Sequence, residues 1–124
     1  MSTIAISSLE TARNVLKIES QALEKLADNL PEDFTRLIKA IINCKGRVVV
    51  AGVGKSGHIG RKISATLAST GTPSYFVHAA EASHGDMGMI VEGDICLLIS
   101  RNIKSISFET LLRSKILFSI IFIE

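Results

Sequence analysis

The residues best suited to chemistry in this chain of 124 sit in one stretch, "GVGKSGH" at 52–58, with His78 and His84 further along. Gly52, Gly54 and Gly57 have GxGxxG spacing, which lets backbone amides close on an anion at a helix start. Lys55 adds a cation inside that loop. A lysine there suits a phosphate monoester, or the developing oxygen of an enediolate. Ser56 supplies a hydroxyl that can donate to the same anion. The Gly-Lys-Ser run invites comparison with a nucleoside triphosphate loop, but that loop needs a glycine where this chain has Val49. A dinucleotide site calls for an acidic residue at the end of the next strand. Here that strand ends in His78, and the nearest carboxylate, Glu81, falls in the following loop. The glycine spacing alone is a weak pattern, so a dinucleotide-binding fragment and a non-catalytic phosphate-binding module both stay open.

Each of these residues also has an ordinary reading. Lys55 can be a solvated loop lysine, Ser56 a helix cap, and His58 a cap or packing residue. His78 and His84 can be hydrogen-bonding loop histidines, and Glu81 and Asp86 can order the loop between them. A metal set of His78, His84 and Asp86 is a further option.

The elements around these residues follow from hydrophobic period. Leu9, Leu16, Leu23 and Leu30, with Ala12 and Leu26, mark one face of a helix over residues 8 to about 29, interrupted by Glu19. That stripe fits packing on its own domain, or else against a partner chain. Pro31 opens a second helix, with Glu32 and Asp33 at its positive end and Gly46 closing it. "RVVVAGV" is β-branched and apolar on both faces, as in a strand covered on both sides of a parallel sheet. "HIGRKISATLAST" is a helix stopping at Gly71, "PSYFVH" a second strand, and "DICLLIS" a third ending at Ser100. The pattern predicts a doubly wound α/β domain whose ligands lie at the carboxyl ends of the strands.

Composition sets wider bounds. A hydrophobic fraction of 47%, a charged fraction of 21% and a net charge of +2 describe one globular domain and single out neither nucleic acid nor membrane as a partner. Cys44 and Cys96 are far apart in sequence and flanked by apolar residues, which predicts buried reduced thiols and a cytoplasmic setting. No targeting segment is evident, and the longest apolar run, "ILFSIIFI", is too short to span a bilayer.

The stretch "GVGKSGHIGRKISATLASTGTPSYFVHAAEASHGDMGMI" resembles the sugar isomerase (SIS) domain of D-arabinose-5-phosphate isomerases, the KpsF/GutQ type. The resemblance runs from the N-terminal helices through Ser100. It implies a flavodoxin-like doubly wound parallel sheet flanked by helices and a homotetrameric assembly. The implied reaction is the interconversion of D-arabinose 5-phosphate and D-ribulose 5-phosphate through an enediol, on the route to the lipopolysaccharide sugar Kdo. Such a reaction needs a base to move a carbon-bound proton and a cation or donor to hold the oxyanion. The resemblance makes Lys55 the lysine important for turnover and puts Gly54, Ser56, Gly71, Thr72, His78 and His84 around the phosphorylated pentose. It requires no cofactor, and it makes His78 a histidine able to bind an inhibitory divalent metal such as zinc.

Beyond Ser100 the resemblance stops. The family continues Asn-Ser-Gly-Glu, a second phosphate loop, where this chain reads Arg101, Asn102, Ile103, Lys104. Residues 101–124 contain no Gly, Ala, Pro, Val or Asp and end in a window of high β-propensity. The expectation is therefore an incomplete SIS domain over 1–100, with two helices and about three strands, followed by a non-family tail over 101–124. A frameshift or truncation is the expected origin of that tail. The third strand is expected at an unpaired edge, open to self-association or aggregation, and the chain alone is expected to lack isomerase turnover.

Overall fold

The computed structural model describes the backbone of residues 3–82, 86–100 and 117–122. The chain divides into two compact units, 1–35 and 36–124. The first holds α1, Thr3–Asp28, a helix that begins before the expected start at residue 8. Within it Thr11 Oγ1 donates to the Ser7 carbonyl at 2.8 Å, a bond made along a helix rather than at its start. Leu9, Leu16 and Leu23 are 53%, 66% and 66% exposed.

The second unit is built on a parallel sheet of four strands in the order β2-β1-β3-β4. β1 is Val48–Gly52, β2 Ser74–His78, β3 Ile95–Ser100 and β4 Leu117–Phe122. Every residue of β1 and β3 is buried. This is what their unbroken apolar sequences require, because neither face of such a strand can be left in water. β1 lies between β2 and β3, pairing Val48 with Ser74 on one side and with Ile95 on the other. The chain thus winds outward in both directions from β1, the arrangement expected from the βαβ pattern.

Two helices cover one face. Leu37, Ala40 and Ile41 of α2 (Asp33–Ile42) and Ile63 and Leu67 of α3 (Gly54–Ser69) pack on Val48, Val50, Ile95, Leu97 and Ile99. On the other face Tyr75 and Ile90 pack on Val49, Val77 and Cys96. A short helix, α4 (Ala79–Ala82), and a 3-10 turn, Asp86–Met89, carry the chain from β2 toward β3.

One expectation is corrected here. β3 is not an edge strand, because β4 pairs with it in parallel from Ile95–Leu117 through Ser100–Phe122. The tail thus contributes a strand, and β4 is the last strand on that side among the described residues. The two cysteines are free, Cys96 buried and Cys44 partly so. They belong to opposite faces of the sheet.

Candidate functional site

The glycines of the loop divide two tasks between them. A Cβ on Gly52 would lie 3.0 Å from the Ser56 backbone, and one on Gly57 would lie 3.1 Å from the Gly52 carbonyl oxygen. These two glycines let the end of β1 and the first turn of α3 touch. Gly60 continues the contact one turn on, where a Cβ would stand 2.9 Å from the Phe76 ring. Gly54 is different: its φ is +56° and nothing lies within 4 Å of its Cβ direction. It turns the chain into the helix and leaves the approach to the first turn open.

That first turn is prepared for an anion. Val53 occupies the N-cap with extended backbone and no side-chain hydrogen bond to the turn. The first helical bond runs from Gly57 N–H to the Val53 carbonyl at 3.2 Å, so the amides before it are not consumed by the helix. No carboxylate occurs anywhere in "GKSGHIGRKISATLAS". The helix dipole and the charges of Lys55, Arg61 and Lys62 therefore have no acidic group in α3 to neutralise them. Lys55 is exposed and Ser56 half-buried.

His78 reaches the same edge from the neighbouring strand. Its Cα is the register partner of Gly52, about 5 Å away as neighbouring strands are spaced. Alternation puts His78 on the face from which Phe76 packs toward α3. Its Nδ1 accepts a hydrogen bond from the Ala80 backbone N–H at 3.3 Å. An acceptor Nδ1 places the proton of the neutral ring on Nε2, leaving that nitrogen as a donor. Ser100, at the end of β3, pairs with Phe122 and follows Ile99, the register partner of Gly52 on the other side. The carboxyl ends of three strands and one helix N-terminus thus meet at one edge.

Gly71 and Thr72 lie elsewhere. Thr72 N–H bonds to the Leu67 carbonyl at 2.9 Å and Gly71 N–H to that of Ala68 at 3.4 Å, with Gly71 at φ +97°. This is the left-handed glycine stop of a helix. The 16 residues of α3 put about 24 Å between its ends. Gly71 and Thr72 are therefore at the amino edge of the sheet and do not share a pocket with Lys55 and His78 of the same chain. His84 lies outside the described residues, as does the side chain of Asp86. Among the described residues no three His, Cys, Asp or Glu side chains form a metal-holding group. In the tautomer that the Ala80 bond selects, His78 carries its proton on Nε2.

The sequence pattern passed over a polar cluster at the amino edge. Asp94, just before β3, accepts from the backbone N–H of Arg47 at 2.8 Å and of Val91 at 3.1 Å, and meets the Arg47 guanidinium at 3.4 Å. Burial alone would raise the Asp94 pKa, but these hydrogen bonds and the Arg47 charge outweigh it and hold the carboxyl below its ordinary 3.8. Arg47 and Tyr75 Oη both donate to the Met89 carbonyl, at 2.9 and 3.0 Å, and the guanidinium lies 4.8 Å from the Tyr75 ring centre. The cluster secures the end of the segment that leaves His78. Its sequence signal was a Gly-Arg before one apolar strand and a Gly-Asp before the next. Burial, followed by the Asp94 charge, pushes the Cys96 thiol up to about 11, so Cys96 stays protonated and is a core residue.

A doubly wound α/β sheet with a glycine-lined helix start at its carboxyl edge defines the class of fold to which the chain conforms. The SIS domain model matches residues 41–114, and the chain belongs to that family. It is 56% identical over 92 residues to arabinose 5-phosphate isomerase GutQ of Shigella flexneri, covering 74% of this chain and 29% of that protein. It is 53% identical over 112 residues to arabinose 5-phosphate isomerase KdsD of Yersinia pestis, covering 87% of this chain and 34% of that protein. An Escherichia coli CFT073 protein solved in complex with A5P superposes with a TM-score of 0.85 at 38% identity, over 97% of this chain and 65% of that one. The chain thus spans about a third of the length of these curated relatives. The family match continues beyond Ser100 to residue 114.

Proposed function

We propose that this chain is a phosphosugar-binding SIS domain of the arabinose-5-phosphate isomerase type, which takes D-arabinose 5-phosphate at the carboxyl edge of its sheet. The observation that carries this reading is the open first turn of α3, with Gly54 at positive φ, no carboxylate in the helix and Lys55 exposed beside it. The phosphate accepts from the first-turn amides and the Ser56 hydroxyl, and the Lys55 ammonium balances its charge. In the relatives' reaction a proton moves between C1 and C2 while negative charge develops on oxygen. Lys55 and the Nε2 donor of His78 are the groups of this chain suited to hold that charge.

Turnover also needs a base to take the carbon-bound proton. No carboxylate occurs in α3, and the chain lacks the Asn-Ser-Gly-Glu run expected after Ser100. Binding without isomerisation is therefore the proposed property of the chain by itself, and His84 remains a proposed contact. The absence of an acidic residue at the end of β2 counts against a dinucleotide.

Calorimetric titration with D-arabinose 5-phosphate tests the reading. Saturable binding is expected, and it weakens about tenfold to a hundredfold in Lys55→Ala, the loss of one charge-assisted contact. Equal affinity for unphosphorylated D-arabinose would overturn it. Zinc at His78 is a separate proposal, because a metal at Nε2 requires the ring proton to move to Nδ1 and the Ala80 bond to break. Zinc binding that His78→Ala abolishes would support it; binding unchanged in that variant would refute it.

A further inference from the structure

The connection that leaves β2 is tied down at both of its ends. Where it departs from the carboxyl edge, His78 Nδ1 accepts the Ala80 backbone N–H at 3.3 Å. Where it returns to the amino edge, the Met89 carbonyl accepts from two donors, Arg47 Nη2 at 2.9 Å and Tyr75 Oη at 3.0 Å. Two donors on one carbonyl fix its direction as well as its distance. The donors are themselves held, because Asp94 meets the guanidinium at 3.4 Å and the Tyr75 ring centre lies 4.8 Å from it. Asp94 already supplies the charge opposite to Arg47, so neutralisation does not account for the bond to Met89. Ile90, the next residue, packs on Val49, Val77 and Cys96. Between the two ends, α4 touches both β2 and the 3-10 turn that closes at Met89. Packed elements transmit displacement, so a shift of Met89 passes through the turn and α4 to Ala80.

We propose that Tyr75 and Arg47 are positioning residues for the carboxyl edge: through the Met89 carbonyl they keep the Ala80 N–H on His78 Nδ1, and so keep the His78 proton on Nε2. Tyr75 stands three residues before His78 on β2, about 10 Å away along the strand, so its hydroxyl acts through the connection. Once the Ala80 bond is lost, either ring nitrogen carries the proton, and only the Nε2–H form donates from Nε2 to a ligand oxygen. The consequence for affinity rests on the phosphosugar reading; the effect on the ring does not.

The test is NMR of the His78 ring nitrogens and the Ala80 amide in the full chain without ligand, in alkaline buffer where imidazoles are neutral, followed by calorimetric titration with D-arabinose 5-phosphate. Tyr75→Phe keeps the aromatic ring and removes one donor from Met89. An Nδ1–H fraction is expected to appear at His78, the Ala80 amide proton to move upfield, and D-arabinose 5-phosphate to bind about threefold to tenfold more weakly, while β1 amide signals stay in place. Arg47→Lys keeps the charge beside Asp94 without the planar fork and is expected to act in the same direction. A His78 ring and Ala80 amide that stay unchanged in both variants would overturn the proposal, even if stability or affinity falls. So would an altered ring with unaltered affinity in a chain that binds the sugar phosphate. Should the unaltered chain bind no D-arabinose 5-phosphate, the phosphosugar reading falls and the ring signals still decide whether Met89 controls His78.

Discussion

At the scale of single residues, position and charge separate structural groups from those free to meet a ligand. Lys55 is exposed at an open loop, whereas Asp94 is buried and fully engaged. Because the folded-state pKa of Asp94 lies below its unfolded value, its stabilisation is complete above about pH 3.8 and is lost as the pH falls through the lower folded value. Asp94→Asn is expected to destabilise the fold at neutral pH by about 1–3 kcal/mol, since an amide cannot accept from every donor aimed at the carboxylate. It should also flatten the loss of stability in acid. Urea unfolding of both proteins at pH 7 and pH 3 checks this, and parallel acid curves would contradict it. The exposed position of Lys55 was legible from its place between glycines. The role of Asp94 was not, because its partner Arg47 is distant in sequence and becomes a neighbour only when β1 and β3 pair.

At the scale of elements, close contact between α3 and the sheet rests on missing side chains. Gly60→Ala sets a methyl carbon 2.9 Å from the Phe76 ring, and the ring has little freedom because Arg61 stacks on it at 4.4 Å. A loss of about 1–3 kcal/mol is expected from this overpacking, read as a lower urea midpoint at unchanged slope. An unchanged midpoint would show that the ring gives way. The order β2-β1-β3 was legible because unbroken β-branched runs flank a helical period, and only burial on both faces tolerates such runs. The start of α3 was read too late, at His58 instead of Gly54, because glycine usually marks a loop; here the glycines are inside the helix to permit close approach. β4 was missed as a partner for β3 because 101–116 carries no glycine or proline to punctuate a crossover, so the β-propensity of the tail suggested aggregation instead.

At the scale of the whole molecule, the chain pairs an open, glycine-lined helix start with a partial share of its relatives' length. It spans 29% of GutQ and 34% of KdsD. Binding energy and chemistry separate naturally in such a domain. A helix start and a lysine can hold a phosphate without assistance, whereas proton transfer requires a base within hydrogen-bond reach of the sugar carbons. The division also explains which parts of the site were foreseen. Gly54, Lys55 and Ser56 are contiguous, so their meeting required only a strand, a turn and a helix. Gly71 and Thr72, at the far end of that helix, could not be placed by local pattern.

The claim that the glycine loop is a phosphosugar cradle is tested most directly by amide NMR of the labelled chain, titrated with D-arabinose 5-phosphate and, in parallel, with D-arabinose. The account predicts shifts concentrated at Gly54 to His58 and at His78 with the phosphate ester alone, and their loss in Lys55→Ala while the rest of the spectrum stays dispersed. A folded spectrum that ignores the phosphate ester, or responds equally to both sugars, would contradict it.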